Sequence, residues 1–77
     1  MSNQPMSTDI PITINGEARQ VPSGLNIGNL LLFLGLDPAR VAVELNRSLV
    51  RKAEWDATTV QAGASVEIVT FVGGGTL

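Results

Sequence analysis

Three consecutive glycines, Gly73-Gly74-Gly75, are the residues of this chain whose type and spacing best suit chemistry. They follow directly on an apolar run, Val66-Glu67-Ile68-Val69-Thr70-Phe71-Val72. A backbone without Cβ atoms takes almost any torsion angle and lets another protein's backbone come close. Such a segment passes into a channel that branched side chains could not enter, and nothing on it would crowd a reacting carbonyl. A carboxylate is a poor electrophile, but conversion to an acyl-adenylate by another enzyme opens it to attack by a sulfur donor. The product would be a thiocarboxylate, whose sulfur is a soft nucleophile. The competing reading is a frayed, glycine-rich terminus with no chemistry of its own.

The remaining residues offer little else. The chain has 77 residues, no Cys and no His. Disulfides, thiolate metal sites, Ser-His-Asp triads and Cys-His pairs are all excluded. The glycine run is not a phosphate loop, because neither a Lys nor a helix follows it. Asp9, Glu17, Asp37, Glu44, Glu54, Asp56 and Glu67 are scattered and read as surface charge. An enzyme acting alone is not expected, nor is a cofactor bound by this chain. The net charge of −2 leaves no basic stripe for nucleic acid. The longest apolar stretch, Leu30 to Leu34, is far short of a membrane span. The polar start, residues 1–9, lacks the pattern of a signal peptide and reads as a disordered leader, with Met6 an alternative start. A cytoplasmic protein is expected, since the lack of Cys suits a reducing compartment.

The elements that must position the tail follow from patterning. Ile10, Ile12 and Ile14 alternate with Pro11, Thr13 and Asn15, the period of a half-buried strand. Asn15-Gly16 signals a tight hairpin, and the return strand runs from Glu17 to Val21. Asn26 caps a helix over Ile27 to Leu34, with Ile27, Leu30, Leu31 and Leu34 on one stripe and Gly35 as its left-handed terminator. Leu32 and Phe33 lie off that stripe and read as flank packing in preference to a partner contact. Val41, Val43 and Leu45 mark another strand, Asn46-Arg47-Ser48 a turn, and Leu49-Val50 a strand stub. Arg51 to Trp55 reads as a short helical turn, with Trp55 closing one end of the core. The last strand spans Ser65 to Val72. Its Val66 and Ile68 share one face, and Glu67, Val69 and Phe71 share the other. If the first face meets the helix, Val69 and Phe71 form an apolar pair on the open face, either a docking patch beside the tail or the apolar outer side of a central strand.

This order of hairpin, helix, strand, irregular segment and strand fits an α+β layer structure. The β-grasp fold satisfies it: a mixed sheet packed on one main helix, with the first and last strands paired in the middle. The domain would cover residues 10–72, with a flexible tail over 73–77.

The residues Val41-Ala-Val-Glu-Leu-Asn-Arg-Ser-Leu-Val-Arg-Lys-Ala-Glu-Trp55 and Gly63-Ala-Ser-Val-Glu-Ile-Val-Thr-Phe-Val-Gly-Gly-Gly75 closely resemble the ThiS family, the ubiquitin-like sulfur carriers of thiazole formation in thiamine biosynthesis. The Asn15-Gly16 hairpin and the Leu30-Leu31 helix are similar as well, so the likeness spans about residues 10 to 75. The resemblance implies a β-grasp fold and chemistry performed by partners. A ThiF-type enzyme would use ATP and magnesium to adenylate a terminal glycine. A cysteine desulfurase would supply the sulfur as a persulfide, and the thiocarboxylate would serve thiazole synthase, the ThiG-type acceptor. Carried over by position, Gly75 is the activated residue, Gly74 its neighbour in the tail and Gly73 an extension of it.

The sequence departs from that pattern where Thr76 and Leu77 follow Gly75. With Gly75 in a peptide bond there is no carboxyl to adenylate. A precursor clipped after Gly75 by a JAMM-type peptidase is the expected explanation. Other destinations for the sulfur stay open: molybdopterin, through a MoaD-type role, cysteine, or a secondary metabolite. Two further readings are a ubiquitin-like protein modifier and a plain interaction module.

Overall fold

In the computed structural model of the chain, residues 8–71 are described. The tail from Gly73 to Leu77, Val72 and most of the expected leader lie outside them. Five strands form one sheet, β1 (Asp9–Ile14), β2 (Glu17–Pro22), β3 (Val41–Leu45), β4 (Ser48–Val50) and β5 (Ser65–Thr70), in the spatial order β2-β1-β5-β3-β4. The pair β1–β5 is parallel and the other pairs are antiparallel. A single α-helix, α1 (Ile27–Phe33), covers one face. Short 3₁₀ segments at Pro38–Arg40 and Lys52–Ala57 complete the chain. This is the β-grasp arrangement, with the first and last strands side by side at the centre.

Local chemistry explains the elements. Asn15 and Gly16 both have positive φ, 52° and 85°, as a two-residue hairpin turn requires. Asn26 sits in extended backbone and its side chain accepts a hydrogen bond from the Asn29 N–H at 2.8 Å, capping α1. At the other end Gly35 has φ 77°. The Gly35 N–H donates to the Leu32 carbonyl at 3.0 Å and the Leu36 N–H to the Leu31 carbonyl at 2.9 Å. That pair of bonds is the Schellman closure, which satisfies carbonyls the helix itself leaves without donors.

The core lies between α1 and the covered sheet face. Ile27, Leu30 and Leu31 from the helix meet Ile12, Val21, Val41, Val43, Val66 and Ile68 from the sheet. Each fully buried aliphatic side chain of this kind stabilises by about 1.5–3 kcal/mol. Trp55 closes one end as expected: it is buried, and its indole N–H donates to the Val50 carbonyl at 3.0 Å.

Four expectations need correction, the first being the last strand, which ends at Thr70 opposite the first residue of β3 and not at Val72. β1 begins at Asp9, not at Ile10, and the Ser23 N–H reaches back to the Thr8 carbonyl at 2.9 Å. Backbone pairing with β2 continues past the point where apolar alternation stops, because Asp9 lies opposite Pro22. Leu32 and Phe33 are exposed and not packed on a flank. Only one layer covers the sheet, so only the stripe of α1 facing that sheet is buried. The helical turn after β4 is a 3₁₀ segment at Lys52–Ala57, shifted toward the C-terminus of the expected Arg51–Trp55.

Candidate functional site

β5 precedes the glycine run in sequence, and its first residues are held from both sides. The Thr13 N–H donates to the Ala64 carbonyl at 2.9 Å and the Asn15 N–H to the Val66 carbonyl at 2.8 Å. From the β3 side, the Asn46 N–H donates to the Ser65 carbonyl at 2.7 Å, and the Asn46 side-chain oxygen accepts from the Ser65 N–H at 2.9 Å.

Further along, the side-chain amide of Asn15 takes over from β1. Its oxygen accepts from the Ile68 N–H at 2.7 Å and its NH₂ donates to the Ile68 carbonyl at 3.2 Å. Both asparagines occupy left-handed turn positions, which their short polar side chains tolerate better than most residues. Each hairpin turn therefore clamps the strand between them. The last clamp is the Phe71 N–H on the Arg40 carbonyl at 2.7 Å.

The two faces of β5 differ. Val66 and Ile68 are buried under α1. Val69 and Phe71 lie on the open face, 58% and 55% exposed. Register places Ala42 beside Val69 and Glu44 beside Glu67, with Leu49 of β4 next to Glu44. Leu49 is 64% exposed and extends the apolar surface across the sheet. Sequence reading missed Leu49, although the alternation Ser48-Leu49-Val50 could have placed it opposite to the half-buried Val50. The surface that results has Val69 and Phe71 at the C-terminal end of β5 and two carboxylates, Glu44 and Glu67, facing each other beyond them. An exposed apolar cluster of this kind favours burial against another protein, and a charge rim gives such contacts orientation.

Gly73, Gly74 and Gly75 lie outside the described residues, so the structure places only the strand that precedes them. Among the described residues no group of three or more His, Cys, Asp or Glu could hold a metal ion. No helix among them is long and apolar enough to cross a membrane. Trp55 has its ring face under the Lys52 ammonium, 5.6 Å from the centroid, and its indole is buried.

Known proteins bear on this arrangement. The ThiS family model matches residues 12–75. A crystal structure of the thiamine biosynthesis protein ThiS from Geobacter metallireducens superposes with a TM-score of 0.73 at 38% identity, covering 86% of this chain and 100% of that one. Thiazole synthase of Magnetococcus marinus is 38% identical over 64 residues, which are 83% of this chain and 20% of that protein. Thiazole synthase of Paramagnetospirillum magneticum is 41% identical over 64 residues, again 83% of this chain and 20% of that protein. The chain thus spans about a fifth of the length of these two synthases. With a family match over most of its length and a similar structure covered end to end, this chain belongs to the ThiS family of β-grasp sulfur carriers.

Proposed function

We propose that this protein carries sulfur for thiazole formation in thiamine biosynthesis, with Gly75 as the residue that is activated. The observation that carries the reading is the extent of the family match, which runs from Ile12 through β5 to Gly75 and so takes in the whole glycine run. The chemistry proceeds in trans. A peptidase of the JAMM type frees the Gly75 carboxylate by cleaving the bond to Thr76. A ThiF-type enzyme with ATP and magnesium then forms the Gly75 acyl-adenylate and releases pyrophosphate. Persulfide sulfur, drawn from a cysteine desulfurase, attacks the acyl carbon and AMP leaves; cleavage of the sulfur–sulfur bond by a thiol yields the thiocarboxylate. Gly74 and Gly73 give the reacting carbonyl an approach free of Cβ atoms.

The acceptor in this reading is a thiazole synthase of the ThiG type. Support comes from the two thiazole synthases that contain a stretch similar to this chain. Both partners would dock on the open sheet face, where Val69 and Phe71 supply apolar area at the C-terminal end of β5 and Leu49 adds to it beside Glu44. The work takes place in the cytoplasm, where the desulfurase and ATP are found together.

The test is the intact mass of the protein from its native cells. Loss of Thr76 and Leu77, with one terminal oxygen replaced by sulfur, is the expected result. A terminus that is never trimmed, combined with no ATP-dependent pyrophosphate release from protein ending at Gly75, would overturn the carrier reading. Gly75→Ala in the trimmed protein should leave the melting temperature unchanged and slow pyrophosphate release by an order of magnitude or more, about 1.4 kcal/mol in the barrier.

A further inference from the structure

A second feature flanks β5, at the edge away from β3 and on the helix side of the sheet. β1 pairs with β5 only where Thr13 and Ile14 lie opposite Ser65 and Val66. It then turns away at Asn15-Gly16. At Ile68 the Asn15 amide stands where a further residue of β1 would have been, bonding both the N–H and the carbonyl of Ile68. Backbone groups two residues apart on a strand face the same edge. Thr70 therefore turns its N–H and carbonyl toward the edge that Asn15 has just capped, while Phe71 bonds Arg40 on the other side. Among the described residues, no strand lies beside Thr70 at that edge.

A cleft of about 220 Å³ opens at this place. Leu34, Leu36 and Ile68 give it an apolar floor, and Thr70 and Asn15 line its rim together with Arg19. Leu34 and Leu36 are half-buried, so their apolar surface is available to a visiting side chain. Arg19 is exposed, and the ion pair formed among the described residues joins Arg40 to Asp37, not Arg19 to any carboxylate.

We propose that this cleft receives an extended segment of a partner protein, added as a short strand beside Thr70. One apolar side chain of the segment lies over Leu34 and Leu36, and a carboxylate side chain pairs with Arg19. Strand addition of this kind draws affinity from main-chain hydrogen bonds and specificity from alternate side chains. Two observations fix the occupant. The Asn15 side chain offers the same carbonyl acceptor and N–H donor as a peptide group, and it already pairs with this edge at hydrogen-bond distances, so a backbone amide can continue the pairing at the next position. The free cation at the rim selects an acidic segment over a basic one. The site is separate from the open face: Thr70 shares its face with Ile68 and lies opposite Val41, whereas Val69 and Phe71 point the other way. A protein bound across the open face leaves the cleft accessible, and the proposal stands whether or not Gly75 is activated.

The full chain, labelled with nitrogen-15, would be titrated to several millimolar with the synthetic peptide acetyl-Thr-Val-Thr-Asp-Thr-amide, whose Val and Asp lie two apart and so share one face of a strand. Expected are shifts at the Ile68 and Thr70 amides and the Arg19 guanidinium, with slowed hydrogen exchange at Thr70. Arg19→Glu should weaken binding about tenfold, since a like charge replaces the pairing one, and a peptide with Lys in place of Asp should recover it. Absence of shifts at Ile68, Thr70 and Arg19 at the highest concentration overturns the proposal. Shifts confined to Val69 and Phe71 overturn it as well, because they place the peptide on the open face. So does equal affinity of the Arg19→Glu variant for both peptides.

Discussion

Ile68 and Val69 are neighbours in β5 and alike in chemistry, yet Ile68 is 8% exposed and Val69 58%. Ile68 lies under α1 in the hydrophobic core. Val69 sits with Phe71 on a face that no element of the described chain covers. An apolar side chain on the first face stabilises the fold, while one on the second contributes little until another protein arrives. The two faces of one strand thus differ, set by the period of two that sends alternate side chains to opposite sides. Substitution of the two residues should separate them cleanly. Ile68→Ala should cost about 2–5 kcal/mol, from lost burial and the cavity left behind. Val69→Ala should fall within about 0.5 kcal/mol of the parent. Chemical denaturation of both variants measures the difference, and similar losses would mean that the open face is structural.

The comparison can be sharpened at the edge of the strand. Asn15 supplies two hydrogen bonds to the Ile68 backbone and tolerates a left-handed turn. Asn15→Ala should cost about 1–3 kcal/mol, combining roughly 1 kcal/mol per lost bond with the turn strain. The loss should appear as faster hydrogen exchange at Ile68 and leave Val43 protected. Uniformly faster exchange across β3 and β5 would instead show that Asn15 supports the whole sheet.

On the open face the effect moves from stability to association. Phe71→Glu should leave the melting temperature within about 2 °C of the parent, since the side chain is exposed and the Phe71–Arg40 backbone bond survives. Binding to an adenylating partner should weaken about tenfold or more, as expected when a charge replaces a central aromatic contact. Unfolding of Phe71→Glu would place that side chain in the core and remove the docking face.

Much of this was legible along the sequence because local rules decide it. The cap at Asn26, the stop at Gly35 and the turn at Asn15-Gly16 depend on a few adjacent residues. The alternation within β5 identified Val69 and Phe71 as one face. What escaped depends on which segments meet. Leu32 and Phe33 are exposed because no second layer covers them among the described residues, and no residue near them in sequence reports that. Leu49 joins the open face only through its register with Glu44. The reach of Asn15 to Ile68 spans 53 positions. The arrest of β1 opposite Val66, four residues short of the end of β5 at Thr70, creates the cleft and is likewise a fact of pairing and not of pattern.

The smallest effect tests the open face most directly. Glu44 and Glu67 are direct cross-strand partners, both exposed, and form the one like-charged pair in the register of β3 with β5. Like charges so placed are destabilising, by roughly 0.2–1 kcal/mol. A surface selected for stability alone would avoid them, whereas a surface that meets a basic residue of a partner would keep them. Glu67→Gln should raise stability by a few tenths of a kcal/mol at low salt, and the gain should shrink as ionic strength screens the repulsion. The same change should slow association with the partner and flatten its salt dependence, because a rim charge acts chiefly on the encounter rate. Stability that rises while association stays unchanged would make the pair a tolerated flaw. Opposite movements of the two would tie the carboxylates to docking.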